Sequence, residues 1–354
     1  MTQLTLFLIA LASMSGAALR AQGLWGSLPA ERRPLVATRI TGERLEQMLG
    51  AVRGKPDKKV AEQLSTLELT DRMSAARVAR CMADLRGSLA RQAFTVLVDK
   101  SAFLEPSAGD VPSMQKPDIE TQRQMISPMV NYVNKTIHQL PNLFATRNTL
   151  SFEEDLSADR PLRPMGNFSA VVVYRDGQEE LHSALVQSGE EKQHPDLFSS
   201  GAPGLTTSGE FGPILVTATV DAAHSGLVWQ RWEQGAAGPE AVFRYAVTAE
   251  KSHYKVDEKY TGYRGEIAID PTTGAILRLV LRSDAEPGDP LMRADIVVEY
   301  GPVELGGRTY ICPVRSVALS VAGLTSEWLN EVVFDQYHLY QASSRILPGF
   351  SEIH

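Results

Sequence analysis

Seven histidines, His138, His182, His194, His224, His253, His338 and His354, are the side chains best suited to ligate a metal or relay a proton, and no two stand at a short metal-ligand spacing. His182, His253 and His338 fall on candidate strands and meet only if the fold brings them together. Without a spacing signature they read as ordinary strand histidines. No Gly-x-Ser-x-Gly elbow, no Gly-x-Gly-x-x-Gly after a strand and no His-Glu-x-x-His occurs. Gly50-Ala-Val-Arg-Gly54-Lys55 is one residue short of a phosphate loop and runs into Pro56. His224-Ser225 reads as a turn. Glu153, Glu154 and Asp155 are a general acid–base pair only in principle; beside a Pro- and Gly-containing loop they read as a solvated strand end. Asp284, Glu286 and Asp289, around Pro287-Gly288, read as a hairpin tip without a calcium-loop signature. The sequence therefore nominates no catalytic residue, no metal ligand and no cofactor, and favours a protein that is not an enzyme.

The aromatic residues carry more. Trp229 and Trp232, Phe243 and Tyr245, then Tyr254, fall on successive candidate strands, followed by Tyr300, Tyr310, Trp328, Phe334, Tyr337 and Tyr340. Trp229, Trp232, Phe243, Tyr245, Tyr254, Trp328 and Phe334 are the candidates for an apolar cleft between sheet and helices. The same residues on the same face also serve as an ordinary core under a packing helix. Both readings stand at this level.

The elements that must position them divide the chain in two. Residues 30–105 follow helical spacing. Leu45, Met48, Leu49 and Val52 form one stripe, Asp57 is placed to cap a helix burying Val60, Ala61, Leu64 and Leu67, and Thr70 to cap one through Val78, Ala79, Met82 and Leu85. Gly87 breaks that helix and Ala90, Ala93, Phe94 and Leu97 define a fourth, giving a region of helical hairpins. Residues 106–118, with three prolines, read as a linker. Asp118 opens a helix over 119–140, with Pro128 marking either a kink or a fresh start. After Pro141 the period becomes two. Phe144, Thr146, Asn148, Leu150 and Phe152 alternate with Ala145, Arg147, Thr149, Ser151 and Glu153. A hairpin over 168–186 turns at Asp176-Gly177. Further strands are expected at 214–220, 226–232, 241–247, 253–256, 265–269, 275–282, 294–300, 309–321 and 328–340. Short connections favour an antiparallel meander. The Gly- and Ser-rich stretch 187–211 reads as a surface loop or lid.

The chain has 354 residues, 43% of them hydrophobic, and a formal charge of −7. Residues 30–105 carry 14 basic against 10 acidic side chains, while residues 106–354 carry 20 against 32. That balance excludes nucleic acid as the main partner, because phosphate binding needs clustered cations. Leu4–Leu19 is an apolar run that fits a secretory leader over residues 1–22, so export to a periplasm or the medium is expected, with no membrane span after the leader is removed. In an oxidising compartment Cys81 and Cys312 either join the two halves by one disulfide or serve as two small core residues.

The most specific local signal is Tyr263-Arg-Gly-Glu-Ile-Ala-Ile-Asp-Pro-Thr-Thr-Gly-Ala-Ile-Leu-Arg-Leu279, in which Asp270-Pro271 sets a tight turn and Gly274 supplies the positive φ. Behind a leader and a helix, and within a long meander, this hairpin resembles the lipoprotein-carrier superfamily of bacterial periplasms. That group includes the outer-membrane lipoprotein carrier, its receptor partner, mycobacterial lipid-binding lipoproteins and the sigma-factor regulator of envelope stress. The resemblance covers residues 119–345, with 346–354 a tail. It implies a curved antiparallel sheet, an open half-barrel, packed on helices and binding acyl chains. With "QLPNLFATRNT", "GEFGPIL", "WQRWEQG" and "VEYGPVELGGRTYICPVRSV" the whole chain is also similar to a group of uncharacterised exported bacterial proteins. The expected class is α+β: a helical-hairpin region followed by a half-barrel domain. The expected role is a binding protein holding a lipid or other amphiphile, or an envelope protein-interaction module with a packed core.

Overall fold

The computed structural model describes residues 37–52, 54–155, 163–186, 209–256, 259–284, 289, 291–322 and 326–340. The expected leader, the 346–354 tail, residues 187–208 of the expected lid and Glu286 lie outside them. The first helices are α1 (Gly42–Ala51), α2 (Asp57–Leu64), α3 (Ala75–Asp84) and α4 (Ser88–Ser101), and the strands β1 (Thr38–Ile40) and β2 (Leu67–Leu69) pair in parallel between them. Leu45, Leu49, Val60, Leu64, Phe94 and Leu97 meet in one apolar cluster, as their spacing requires. Thr41 caps α1, its hydroxyl accepting from Arg44 N at 3.2 Å.

Two capping expectations change. Asp57 starts α2 but caps α4, accepting from Leu89 N at 3.1 Å and Ala90 N at 2.8 Å. Its carboxylate thereby satisfies two donors that the α4 N-terminus leaves open and adds negative charge at the positive end of the helix dipole. Thr70 follows β2, its N–H bonded to Ile40 O, and Ser74 stands at the start of α3 instead.

Beyond the linker comes α5 (Ile119–Gln139), one helix with Pro128 inside it. Asp118 accepts from Thr121 N at 2.7 Å, so it opens the helix as its type predicts. Then follow β3 (Leu143–Asp155), β4 (Arg163–Arg175), β5 (Gln178–Val186), α6 (Pro213–Ser225), β6 (Val228–Gln234), β7 (Pro239–Val247), β8 (Lys255–Val256), β9 (Lys259–Tyr260), β10 (Tyr263–Ile269), β11 (Ile276–Ser283), β12 (Leu291–Leu305), β13 (Arg308–Ala322) and β14 (Ser326–Leu339). Ten of these strands form one open antiparallel sheet in the order β5-β4-β3-β14-β13-β12-β11-β10-β7-β6, while β8 pairs only with β9. The class is α+β, and the meander is present.

The expected strand over 214–220 is a correction, because it lies within α6. Ile-Leu-Val-Thr-Ala-Thr-Val favours strand by β-branching, and seven residues of α6 are buried, so no polar stripe reveals the helical period. Pro213 at the first turn and Gly226 just past the end were the helix signals. His224-Ser225 is accordingly the end of a helix. The Asp270–Gly274 turn forms as expected. Asp270 accepts from Thr272 N and Thr273 N, and Gly274 adopts φ +72°. A Cβ on Gly274 would lie 2.4 Å from Met129 N, so the hairpin tip presses onto α5 beside Pro128.

Alternation along the central strands assigns each face a cover. Leu279, Leu281, Ile296, Val298 and Ala318 pack with Met125, Met129 and Val133 of α5 and Ile214, Leu215 and Ala218 of α6. Their neighbours Val280, Val297, Val317 and Leu319 pack with Ala102 and Phe103, just past α4. The chain crosses from the second face to the first in the linker, where Trp232 of edge strand β6 donates Nε1–H to Gln115 O at 2.9 Å.

Cys81 and Cys312 are both free and buried, Cys81 in the first helical cluster and Cys312 in the sheet cluster around Leu143, Val172 and Phe334. The disulfide reading is therefore corrected in favour of two core residues, and burial pushes their thiols up to about 11 and about 12. Asp57→Ala should lower stability by about 1–2 kcal/mol, the cost of a lost helix cap. Chemical denaturation measures it, and an unchanged midpoint would show that the cross-helix cap contributes nothing.

Candidate functional site

The aromatic candidates do not converge on one cleft. Trp229, Trp232, Phe243, Tyr245 and Tyr254 share the cluster under α5 and α6. The Trp229 ring meets those of Trp232 at 5.0 Å and Phe243 at 5.5 Å, and Tyr263 meets Tyr245 at 5.8 Å and Tyr254 at 5.5 Å, all edge-on. With none of the five more than 9% exposed, they form core. Phe334 belongs to a second cluster, and Trp328 is half-buried on β14 with its Nε1 lacking a hydrogen-bond partner among the described residues.

Between those clusters the helix-covered face turns polar. On β3, Leu143 and Ala145 point into the second cluster, and alternation carries Arg147, Thr149 and Ser151 to the same side. On β13, Ser316 and Ser320 flank the inward Ala318, and on β14, Asn330 precedes the inward Val332. All six polar residues are buried. Ser151 Oγ donates to Asn330 Oδ1 at 2.5 Å. This polar seam was hidden in the sequence because alternation separates two faces without saying which is inside, and an arginine ordinarily marks the outside.

Glu210 and Phe211 enter the same interior from a turn. Glu210 is fully buried, its Oε1 accepting from Ser316 Oγ at 3.2 Å and standing 3.9 Å from the Arg147 guanidinium. Its Oε2 has no hydrogen-bond partner among the described residues. Tyr300 OH donates to Glu210 O, and Phe211 N donates to Glu179 Oε2 at 3.2 Å. Burial, then the Glu210 carboxylate, pushes Glu179 up to about 7. Phe211 packs against Tyr174, Phe334 and Tyr337 with ring centroids 5.9, 5.4 and 6.0 Å away. These residues close the 187–211 stretch, and the glycines on either side were the one sequence sign that a structured turn stood there.

Other titratable groups serve as ties. Asp221 of α6, itself buried, accepts from Tyr263 OH at 2.7 Å and His253 N at 2.9 Å, and its Oδ1 lies 2.5 Å from His253 Nδ1. His253 therefore stands beside α6, ahead of the two-residue β8 and not on the strand expected over 253–256, whereas His338 pairs across from Phe144 on β3, so the two do not meet. The side chains of His138 and His182, together with His194 and His354, lie outside the described residues. Among the described residues no group of three or more His, Cys, Asp or Glu is placed to hold a metal.

On the opposite face, Glu233 receives Arg72 at 2.7 Å, Arg231 at 2.5 Å and Arg278 at 2.9 Å. Burial alone would raise its pKa, yet Arg278, Arg72 and Arg231 hold it down to about 2. Asp99 of α4 is buried against Arg315, and burial raises its pKa well above the carboxylate range despite that partner. Lys100 reaches Glu154 at 2.7 Å and Glu327 at 2.8 Å, while Glu153 pairs with Arg163 at 2.7 Å. The 153–155 carboxylates thus include a tie between helical region and sheet, not only a solvated strand end. Asp284 pairs with Arg264, and Asp289 with Lys259 at 3.1 Å.

No family model matches the chain, and no curated protein or solved structure matches it either.

Glu179 beside the seam, and Glu233 of β6 and Glu240 of β7 near the arginine cluster, make stability depend on pH. The folded pKa values of Glu179 and Glu240, both about 7 through burial first, lie above the ordinary 4.5. Their contribution is fully favourable below 4.5 and is lost as pH rises through about 7. Glu233 acts in the opposite sense, its contribution being present above 4.5 and lost as pH falls through about 2. Thermal melts should therefore show Glu179→Gln gaining on the native chain between about pH 5 and about pH 8. A constant difference over that range would contradict the assignment.

Proposed function

We propose that the chain is an exported, non-enzymatic binding protein that holds a lipid or other amphiphile between its sheet and the α5–α6 layer. The sheet is read as an open half-barrel of the lipoprotein-carrier kind. The observation that supports this reading is the amphipathic character of the interior. Broad apolar and aromatic surface lies beside a buried seam of Arg147, Thr149, Ser151, Ser316, Ser320 and Asn330. A folding core needs only the first of these, and the seam is buried at the cost of pairing its own polar groups, as Ser151 does with Asn330 and Ser316 with Glu210. An amphiphile offers both chemistries. The seam, with Phe334 and Trp328 at its margins, replaces the five packed aromatics as the binding region.

A second reading, an envelope protein-interaction or regulatory module, draws on the sealing of Trp229, Trp232, Phe243, Tyr245 and Tyr254. A sealed face leaves the outer surfaces to meet a partner chain.

Native mass spectrometry of the chain, purified without detergent from the compartment to which it is exported, separates the two. The amphiphile reading expects an added mass at near-stoichiometric level, released by solvent extraction. A bare-chain mass that persists after incubation with envelope lipid extract would overturn it in favour of the interaction module.

A further inference from the structure

Glu210 and Phe211 are adjacent residues with opposite chemistry, and each is inserted where a ligand would have to go. The turn carrying them runs between Gly209, at φ +90°, and Gly212. A residue with a side chain is strained at the first of these, so the turn is built around a position that needs glycine. Glu210 places a fully buried carboxylate before Arg147 and Ser316. Phe211 places a ring among Tyr174, Phe334 and Tyr337. The carboxylate is poorly served there. It stands 3.9 Å from the guanidinium, beyond hydrogen-bond reach, and Oε2 finds no partner among the described residues. A ligand carboxylate not tied into the backbone is free to approach the guanidinium more closely than Glu210 does.

We propose that the Glu210–Phe211 turn is an internal surrogate occupying a site for a carboxylate-bearing amphiphile, whose head replaces Glu210 at Arg147 and Ser316 and whose apolar body replaces Phe211. The inference rests on the amphiphile-binding reading and deepens it by naming the ligand class and the segment that leaves. The bonds to release are Phe211 N to Glu179, Tyr300 OH to Glu210 O, Ser316 Oγ to Glu210 Oε1, the Arg147–Glu210 ion pair and the contacts of the Phe211 ring. The net charge of the site is conserved by the exchange, since one carboxylate leaves Arg147 as another arrives. Because the resident turn competes with the ligand, apparent affinity is the intrinsic affinity scaled by the fraction of molecules with the turn withdrawn.

The test uses the full chain with two probes of equal length, dodecanoate and 1-dodecanol. Their binding is followed by titration calorimetry, together with backbone hydrogen exchange at Phe211. Dodecanoate should bind at least about tenfold tighter than dodecanol, the scale of a charged hydrogen bond, and should speed exchange of the Phe211 amide. Glu210→Gln, which keeps the shape and removes the competing charge, should tighten dodecanoate binding. Arg147→Gln should abolish the preference. If that variant does not fold, the native chain and Glu210→Gln decide the matter. Equal binding of both probes, or dodecanoate binding with the Phe211 amide still protected, would overturn this inference while leaving amphiphile binding intact. Binding of neither probe would overturn both.

Discussion

Burial of the central strands on both faces is the constraint that the rest of the architecture satisfies. A sheet of β10 to β14 with alternating apolar residues needs two covers. The chain supplies one from α5 and α6 and the other from the end of α4. Those covers lie on opposite sides of one sheet, so the linker must pass its edge, and it does so at β6, where Trp232 holds Gln115. The helical region is therefore a layer of the same structure. The charged residues follow from this arrangement. The second cover is apolar at Val96, Ala102 and Phe103, and it is further joined to the sheet by Asp99–Arg315, Lys100 with Glu154 and Glu327, and Arg72–Glu233. Buried pairs of this kind are costly to break, because the surviving partner is left as an uncompensated charge.

The proposed site lies under the first cover. Over β6 to β12 it is a well-filled aromatic and aliphatic layer. Over β3, β13 and β14 it becomes a polar seam into which a two-residue turn intrudes. Core packing accounts for the first part. The second holds a carboxylate with an oxygen lacking a partner among the described residues and a second carboxylate pushed up to about 7 beside it, an arrangement that folding alone does not call for.

What could be read from the residues divides along physical lines. Local signals were legible. Asp270-Pro271 and Gly274 made their turn, Asp118 opened α5, and the period-two runs became β3, β4 and β10 to β14. Features set by distant partners were not. Asp57 is a sound capping residue, but the helix it caps starts some thirty residues later. The run 214–220 has strand-like composition, and burial on several sides erased the periodicity that would have exposed α6. Arg147 alternates correctly, yet only the docking of α5, α6 and Glu210 makes its face the inner one. Most of the aromatic residues were placed on the right strands, Tyr254 excepted, because β8 begins only at Lys255, but whether they formed a core or a cleft depended on how fully the helices cover them.

If the chain holds an amphiphile as proposed, the ligand enters at the seam and leaves the aromatic core sealed. Quenching by a spin-labelled fatty acid, in variants that retain either Trp328 alone or Trp229 and Trp232 with the other tryptophans replaced by Phe, tests this most directly. Trp328 should be quenched at concentrations that leave Trp229 and Trp232 bright. Quenching of Trp229 and Trp232 with Trp328 untouched would place the ligand in the wrong part of the interior and contradict the account.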